Sequence, residues 1–161
     1  MIVVADTTPV NYLILIEQIE VLQELYGRVI IPPAVLNELQ SRDTPEAVKE
    51  WIADRPQWLE IQQVRIAPDA ALKKLGAGES EAITLAQQLQ ADALIIDDRD
   101  GRREARQRNL RVIGTLRVLS EAAERGRLDL TQTVKRLQET SFRASAKLLQ
   151  SFLDEDAKRE R

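Results

Sequence analysis

Carboxylates stand at recurrent positions along this chain. Asp6 closes the apolar run Ile2-Val3-Val4-Ala5, and Asp97 with Asp98 closes Ala93-Leu94-Ile95-Ile96 about ninety residues later. Glu79 and Glu81 open the helical stretch that feeds the later run, and Glu38 lies just after a third apolar run, Val29-Ile30-Ile31. Clustered carboxylates raise one another's pKa unless a cation sits among them. A hard divalent cation would resolve the repulsion, lower the pKa of bound water and stabilise an in-line phosphoryl displacement.

The chain has no Cys and no His. That excludes thiol nucleophiles, histidine bases and zinc held by either residue, and leaves oxygen-ligated magnesium, manganese or calcium. Each acid also has an ordinary reading. Asp6 before Thr7-Thr8-Pro9 suits a helix cap, Asp97-Asp98 a strand-to-helix turn, Glu79 and Glu81 a helix N-terminus, and Glu38 a solvated surface. The conjunction favours chemistry, because three acidic stations share one sheet edge and two of them end strands.

A basic segment adjoins the last station. Residues 99 to 111 hold six arginines against two acids, a local charge of +4 in a chain of net charge -3. Arg99, Arg102, Arg103 and Arg106 share a helical face, which suits a phosphate backbone as well as plain solvation. With aromatics at 4%, base stacking is not expected to dominate recognition.

The elements that must position these groups follow from the apolar pattern. Strands are expected at 2–5, 28–31, 58–64 (an edge strand), 93–96 and 110–113. Helices are expected at 10–16, around Ile19, Leu22 and Leu25, and at 34–40, 45–53, 79–89, 99–108, 116–124, 128–137 and 142–153. Short, wholly apolar runs alternating with helices argue for an α/β domain with a mostly parallel five-stranded sheet covered on both faces. In such sheets ligands bind at the C-terminal ends of the strands. At 161 residues, 43% hydrophobic, the chain fits one domain. Residues 1–125 are expected to form the core. Residues 126–153 should pack on it as C-terminal helices or form an interface, and the charged tail 154–161 should fray. No stretch approaches a membrane span and the N-terminus lacks signal-peptide features, so a cytoplasmic location is expected.

Four segments taken together resemble the PIN domain, the fold of the VapC-like ribonuclease toxins, in a short prokaryotic and mostly uncharacterised subgroup. They are Val3-Val4-Ala5-Asp6-Thr7-Thr8-Pro9, Ile31 to Leu39 around Glu38, Leu75 to Ala86 around Glu79 and Glu81, and Ala93 to Arg103 around Asp97-Asp98, followed by Val112-Ile113-Gly114-Thr115-Leu116. The resemblance spans about residues 1 to 125. It implies that Asp6, Glu38, Glu79 and Asp98 are the catalytic acids binding magnesium or manganese, and that Thr8 supports Asp6. Glu81 competes with Glu79. The two lie about 200° apart around a helix, and Glu79, nearer the helix start, leaves Ala82, Ile83 and Ala86 to the core. Asp97 competes with Asp98, which aligns with the family's usual ending.

The resulting expectation is a metal-dependent endoribonuclease, with Arg99, Arg102, Arg103 and Arg106 guiding RNA. The resemblance further implies transfer or messenger RNA as substrate, a toxin role with a small antitoxin partner, and a homodimer. The rival expectation is a catalytically weak or inactive PIN-fold module that binds RNA or protein. A phospho-acceptor receiver domain fits less well, because the adjacent Asp pair follows the fourth strand and no Lys follows the fifth.

Overall fold

In the computed structural model, which describes residues 1–159, the β-branched runs become very short strands: β1 Val3–Ala5, β2 Val29–Ile31, β3 Leu59–Ile61, β4 Ala93–Ile95 and β5 Val112–Ile113. They form one sheet in the order β3-β2-β1-β4-β5, with every neighbouring pair parallel. The expected mostly parallel sheet is thus wholly parallel. β1, β2 and β4 are buried along their whole length, as a sheet covered on both faces requires.

Nine α-helices are described: α1 Thr7–Leu15, α2 Val21–Tyr26, α3 Pro33–Leu39, α4 Glu46–Ala53, α5 Ala77–Leu89, α6 Arg99–Gln107, α7 Thr115–Glu124, α8 Leu130–Gln138 and α9 Ala146–Arg159. α3 packs on α5, α2 on α7, and α1 meets both α3 and α7. α8 and α9 pack on α7 and on each other, and Leu130, Val134 and Leu137 of α8 join the core. None of the described helices is long and apolar enough to cross a membrane.

Several boundaries differ from expectation. The edge strand expected over 58–64 pairs only through Leu59–Ile61. The fifth strand starts at Val112 because α6 ends in a turn that uses Asn109 and Leu110: Asn109 takes a left-handed φ of 63°, and the Leu110 N–H closes on the Ala105 carbonyl at 3.0 Å. The last helix begins at Ala146, not Phe142, and runs through Arg159 instead of fraying from Asp154; residues 160 and 161 lie outside the described residues. A 3-10 turn at Ala70–Lys74 was not expected at all.

The strand order contains a reversal. From β1 the chain moves outward to β2 and β3, then returns to place β4 on the other side of β1. At such a reversal the connections diverge and leave a crevice at the C-terminal strand ends. The register pairs Ala5 with Ile95, so the residues that follow β1 and β4 open into the same crevice.

Candidate functional site

Asp6 is the first residue beyond β1, and its backbone N–H still donates to the Ile95 carbonyl at 2.9 Å. It occupies the N-cap position of α1, yet its side chain makes no capping hydrogen bond, so capping does not account for the carboxylate. The residue is 2% exposed, and its Oδ1 is buried without a partner. Burial is the main cause that raises its pKa from 3.8 to about 7; repulsion from Glu79, Glu38 and Asp97 adds to this, and a backbone hydrogen bond at Thr7 opposes it.

Glu38, on α3, reaches the same crevice. It accepts from the Thr7 hydroxyl at 2.6 Å and from the Gly78 N–H at 2.8 Å. The latter is one of the free N–H groups at the start of α5, where negative charge is favourable. Gly78 lets the two approach closely: a Cβ would stand 2.7 Å from Glu38 Oε2 and 2.8 Å from its Cδ, so the carboxylate would have to give up its place. Glu79, half-buried in the same turn, folds back onto the Gly76 N–H at 2.8 Å. Its pKa is raised, first by burial and then by Asp98, Glu38 and Asp100, with the Gly76 bond opposing.

Asp97 and Asp98 divide their tasks. Asp97 is the second residue beyond β4, accepts from the Thr115 N–H at 2.8 Å and from the Thr115 hydroxyl at 2.5 Å, and so anchors the start of α7. Burial raises its pKa against those two bonds and the nearby Arg102. Asp98 is exposed and caps α6 through the Gly101 N–H at 2.8 Å. Glu81 points elsewhere: it accepts from the Ala34 N–H at 3.0 Å and caps α3. Thr8 makes no side-chain hydrogen bond among the described residues, whereas Thr7, which sequence reasoning missed, holds Glu38. Thr115 was missed as a side-chain partner too, although a Gly-Thr pair opening a helix was its signal.

Glu38, Glu79 and Asp97 therefore each stand close enough to Asp6 to repel it, and Glu38 and Asp98 also repel Glu79. An all-oxygen donor set with an orphaned buried oxygen at its centre fits a hard divalent cation in type. Among the described residues no three acids already stand in a metal-holding arrangement. The four around Asp6 are each drawn onto a backbone N–H group; Glu38 and Asp97 have both oxygens engaged, whereas Glu79 and Asp98 each engage one and keep the other for a cation.

The arginine face adjoins Asp97. Arg99, Arg103 and Arg106 are exposed on α6. Arg102 turns inward and donates to the Ile96 carbonyl at 3.1 Å, where burial and Arg106 hold its pKa below the ordinary value. Arg108 does not belong to that face: it bonds Asp69 at 2.6 and 2.9 Å and Glu104 at 3.1 Å.

Comparison with known proteins bears on the family and the fold. The family model described as "DUF3368: PIN domain" matches residues 2–158, including the C-terminal helices. A solved PilT N-terminus domain protein from the hyperthermophilic archaeon Sulfolobus solfataricus P2 superposes with a TM-score of 0.52 at 18% identity, covering 90% of this chain and 100% of that one. No curated protein matches the chain.

Proposed function

We propose a function from one premise: this chain belongs to the PIN-domain family, whose fold is usually that of metal-dependent nucleases. The proposed activity is endonucleolytic hydrolysis of RNA, with magnesium or manganese held by Asp6, Glu79 and Asp98 and assisted by Glu38 and Asp97. The observation that supports it most is the buried, unpartnered Oδ1 of Asp6 at the centre of the acids.

Bound there, a divalent cation would offset the carboxylate charge, polarise a phosphodiester and make water a better nucleophile near neutral pH. The chain's own residues do the rest. Asp6, with a pKa raised to about 7, holds a proton at its carboxyl below that pH and would supply a carboxylate oxygen to a cation once that proton is lost. Glu38, steadied by Thr7 and Gly78, keeps the wall of the crevice negative and fixes the start of α5. Asp97 ties β4 to α7, so the strand-end geometry does not depend on a mobile loop. Arg99, Arg103 and Arg106 present exposed guanidinium groups along the approach and can each grip a phosphate with two N–H groups. A toxin role, with a small antitoxin covering the crevice and a homodimer as the assembled form, extends the same proposal.

The test is cleavage of a panel of transfer and messenger RNAs with magnesium or manganese by the wild-type protein and Asp6→Asn. Loss of more than about a hundredfold is expected in the variant, and equal rates would refute the proposal. A second reading, a binding module without turnover, is favoured by the absence of a preformed metal cluster among the described residues. Manganese titration separates the two, since a module of that kind takes up no metal at millimolar concentration.

A further inference from the structure

We infer that a second pocket, beside the acidic crevice, binds one nucleotide unit, with its phosphate on an arginine rim and its base against an apolar floor. The inference rests on the nuclease reading for its purpose: a nucleotide held next to the crevice sets where along a strand the cut falls.

The pocket has a volume of about 570 Å³, within the range of small-molecule sites. Besides β5 and Gly114 after it, three parts of the chain build it. α6 contributes Arg99, Arg102 and Arg106; the start of α7 contributes Leu116 and Arg117; the segment leading into α9 and α9 itself contribute Phe142, Arg143, Leu148 and Phe152. Asp97 is the only acid on the wall, and its two oxygens are already taken by Thr115.

Five guanidinium groups thus line the pocket, against a single wall acid, Asp97, whose charge acts on Arg102. Among the described residues only Arg117 has a carboxylate partner, Glu155, at 3.8 Å with both side chains about half exposed. Arg102 spends one N–H on Ile96 and keeps the others. Gathering like charges in a concavity is unfavourable unless an anion is the guest, and arginine matches phosphate with paired N–H groups.

The floor is apolar and pre-shaped. Phe142 is fixed edge-on to Tyr12, with ring centres 5.2 Å apart. The Arg117 guanidinium lies 4.9 Å from the centre of the Phe152 ring, a pairing of the kind on which bases stack. Leu148 is 47% exposed, one of few large apolar side chains so uncovered, and it lies in this pocket. Inorganic phosphate would leave that floor bare, and a neutral apolar ligand would leave the arginines unpaired. An acidic amphipathic peptide could satisfy both, but it calls for an extended groove, and a compact pocket sharing its Asp97 wall with the crevice suits a nucleotide better.

The test is calorimetric titration of the full chain in EDTA with adenosine 5′-monophosphate, adenosine, inorganic phosphate and a Glu/Phe peptide. The nucleotide should bind once per chain, at least tenfold tighter than phosphate or adenosine, and tenfold weaker in Arg143→Gln or Arg117→Gln. Leu148→Asp, an exposed position, should also block binding without loss of the folded circular dichroism signal. Asp6→Asn should bind the nucleotide like wild type, so failure of RNA cleavage and failure of this pocket are separable. Competition by a 5′-phosphorylated RNA oligomer but not its 5′-hydroxyl form identifies an RNA end as the guest; competition by neither identifies a free nucleotide. Both outcomes support the site. Absence of saturable nucleotide binding at millimolar concentration, indifference to the arginine substitutions, or binding of the peptide alone overturns it.

Discussion

In the fold the Asp6 carboxyl holds its proton up to about pH 7, whereas its ordinary value is 3.8. Between those two values the folded state binds more protons than the unfolded one, so stability falls as pH rises from about 4 through about 7 and then levels off. Three pKa units correspond to at most about 4 kcal/mol. Asp6→Asn removes this dependence. In EDTA its urea stability should exceed that of wild type at pH 8 by a few kcal/mol and approach it at pH 4, whereas manganese should stabilise only the wild type. Gly78→Ala tests the same corner by steric means: the new methyl meets the Glu38 carboxylate, and a loss of about 1–3 kcal/mol is expected in denaturant melts, as for overpacking. At this scale the acids after apolar runs were legible, because strand ends are where a parallel sheet exposes side chains. The partners were not. Whether Thr7 or Thr8 faces Glu38, or whether Glu81 turns to Ala34, depends on how helices cross, and spacing along one helix does not carry that.

Between elements, Arg108 shows how a basic run can mislead. Counted with the arginines of residues 99 to 111, it looks like part of a substrate surface. In the fold it ties α6 to the 3-10 turn through Asp69 and to Glu104, which is itself buried. Arg108→Ala should therefore cost about 2–4 kcal/mol in thermal or chemical unfolding, since Glu104 loses its closest partner, while RNA affinity should change far less than in Arg103→Ala. Helix ends were similarly half-legible. α7 stops at Gly126, with φ of 73°, as a glycine signal suggests, but α1 and α5 stop at Glu17 and Gln90, which adopt left-handed φ of 59° and 51° without being glycine. Tertiary packing imposes those turns against the residues' own preference. The same holds for Phe142, whose apolar character suggested a helix start but which is committed to Tyr12 instead.

For the molecule as a whole, the net charge of -3 conceals a separation of charge, with acids in the crevice and arginines beside it. RNA association should follow the local arginines. Three phosphate contacts, from Arg99, Arg103 and Arg106, give a slope of log K against log salt of about -2 for a single strand, and a flat slope in filter binding would remove α6 from the interface. The α/β class, the strand count and the single-domain organisation were legible because they follow from apolar runs alternating with helices. The arginine pocket was not, since Phe142, Arg143 and Phe152 meet α6 only through the packing of α9 on α7. The central position of β1 has a temporal consequence. β1 can zip to β2, and β2 to β3, once the first 61 residues exist, but its other edge waits for Ala93–Ile95. A chain growing from the ribosome thus holds Asp6 beside an open strand edge for more than half of its synthesis. The crevice closes only when the fourth strand docks, a late, long-range step of the kind that limits folding rate. Chains ended before the fourth strand consequently lack the crevice altogether.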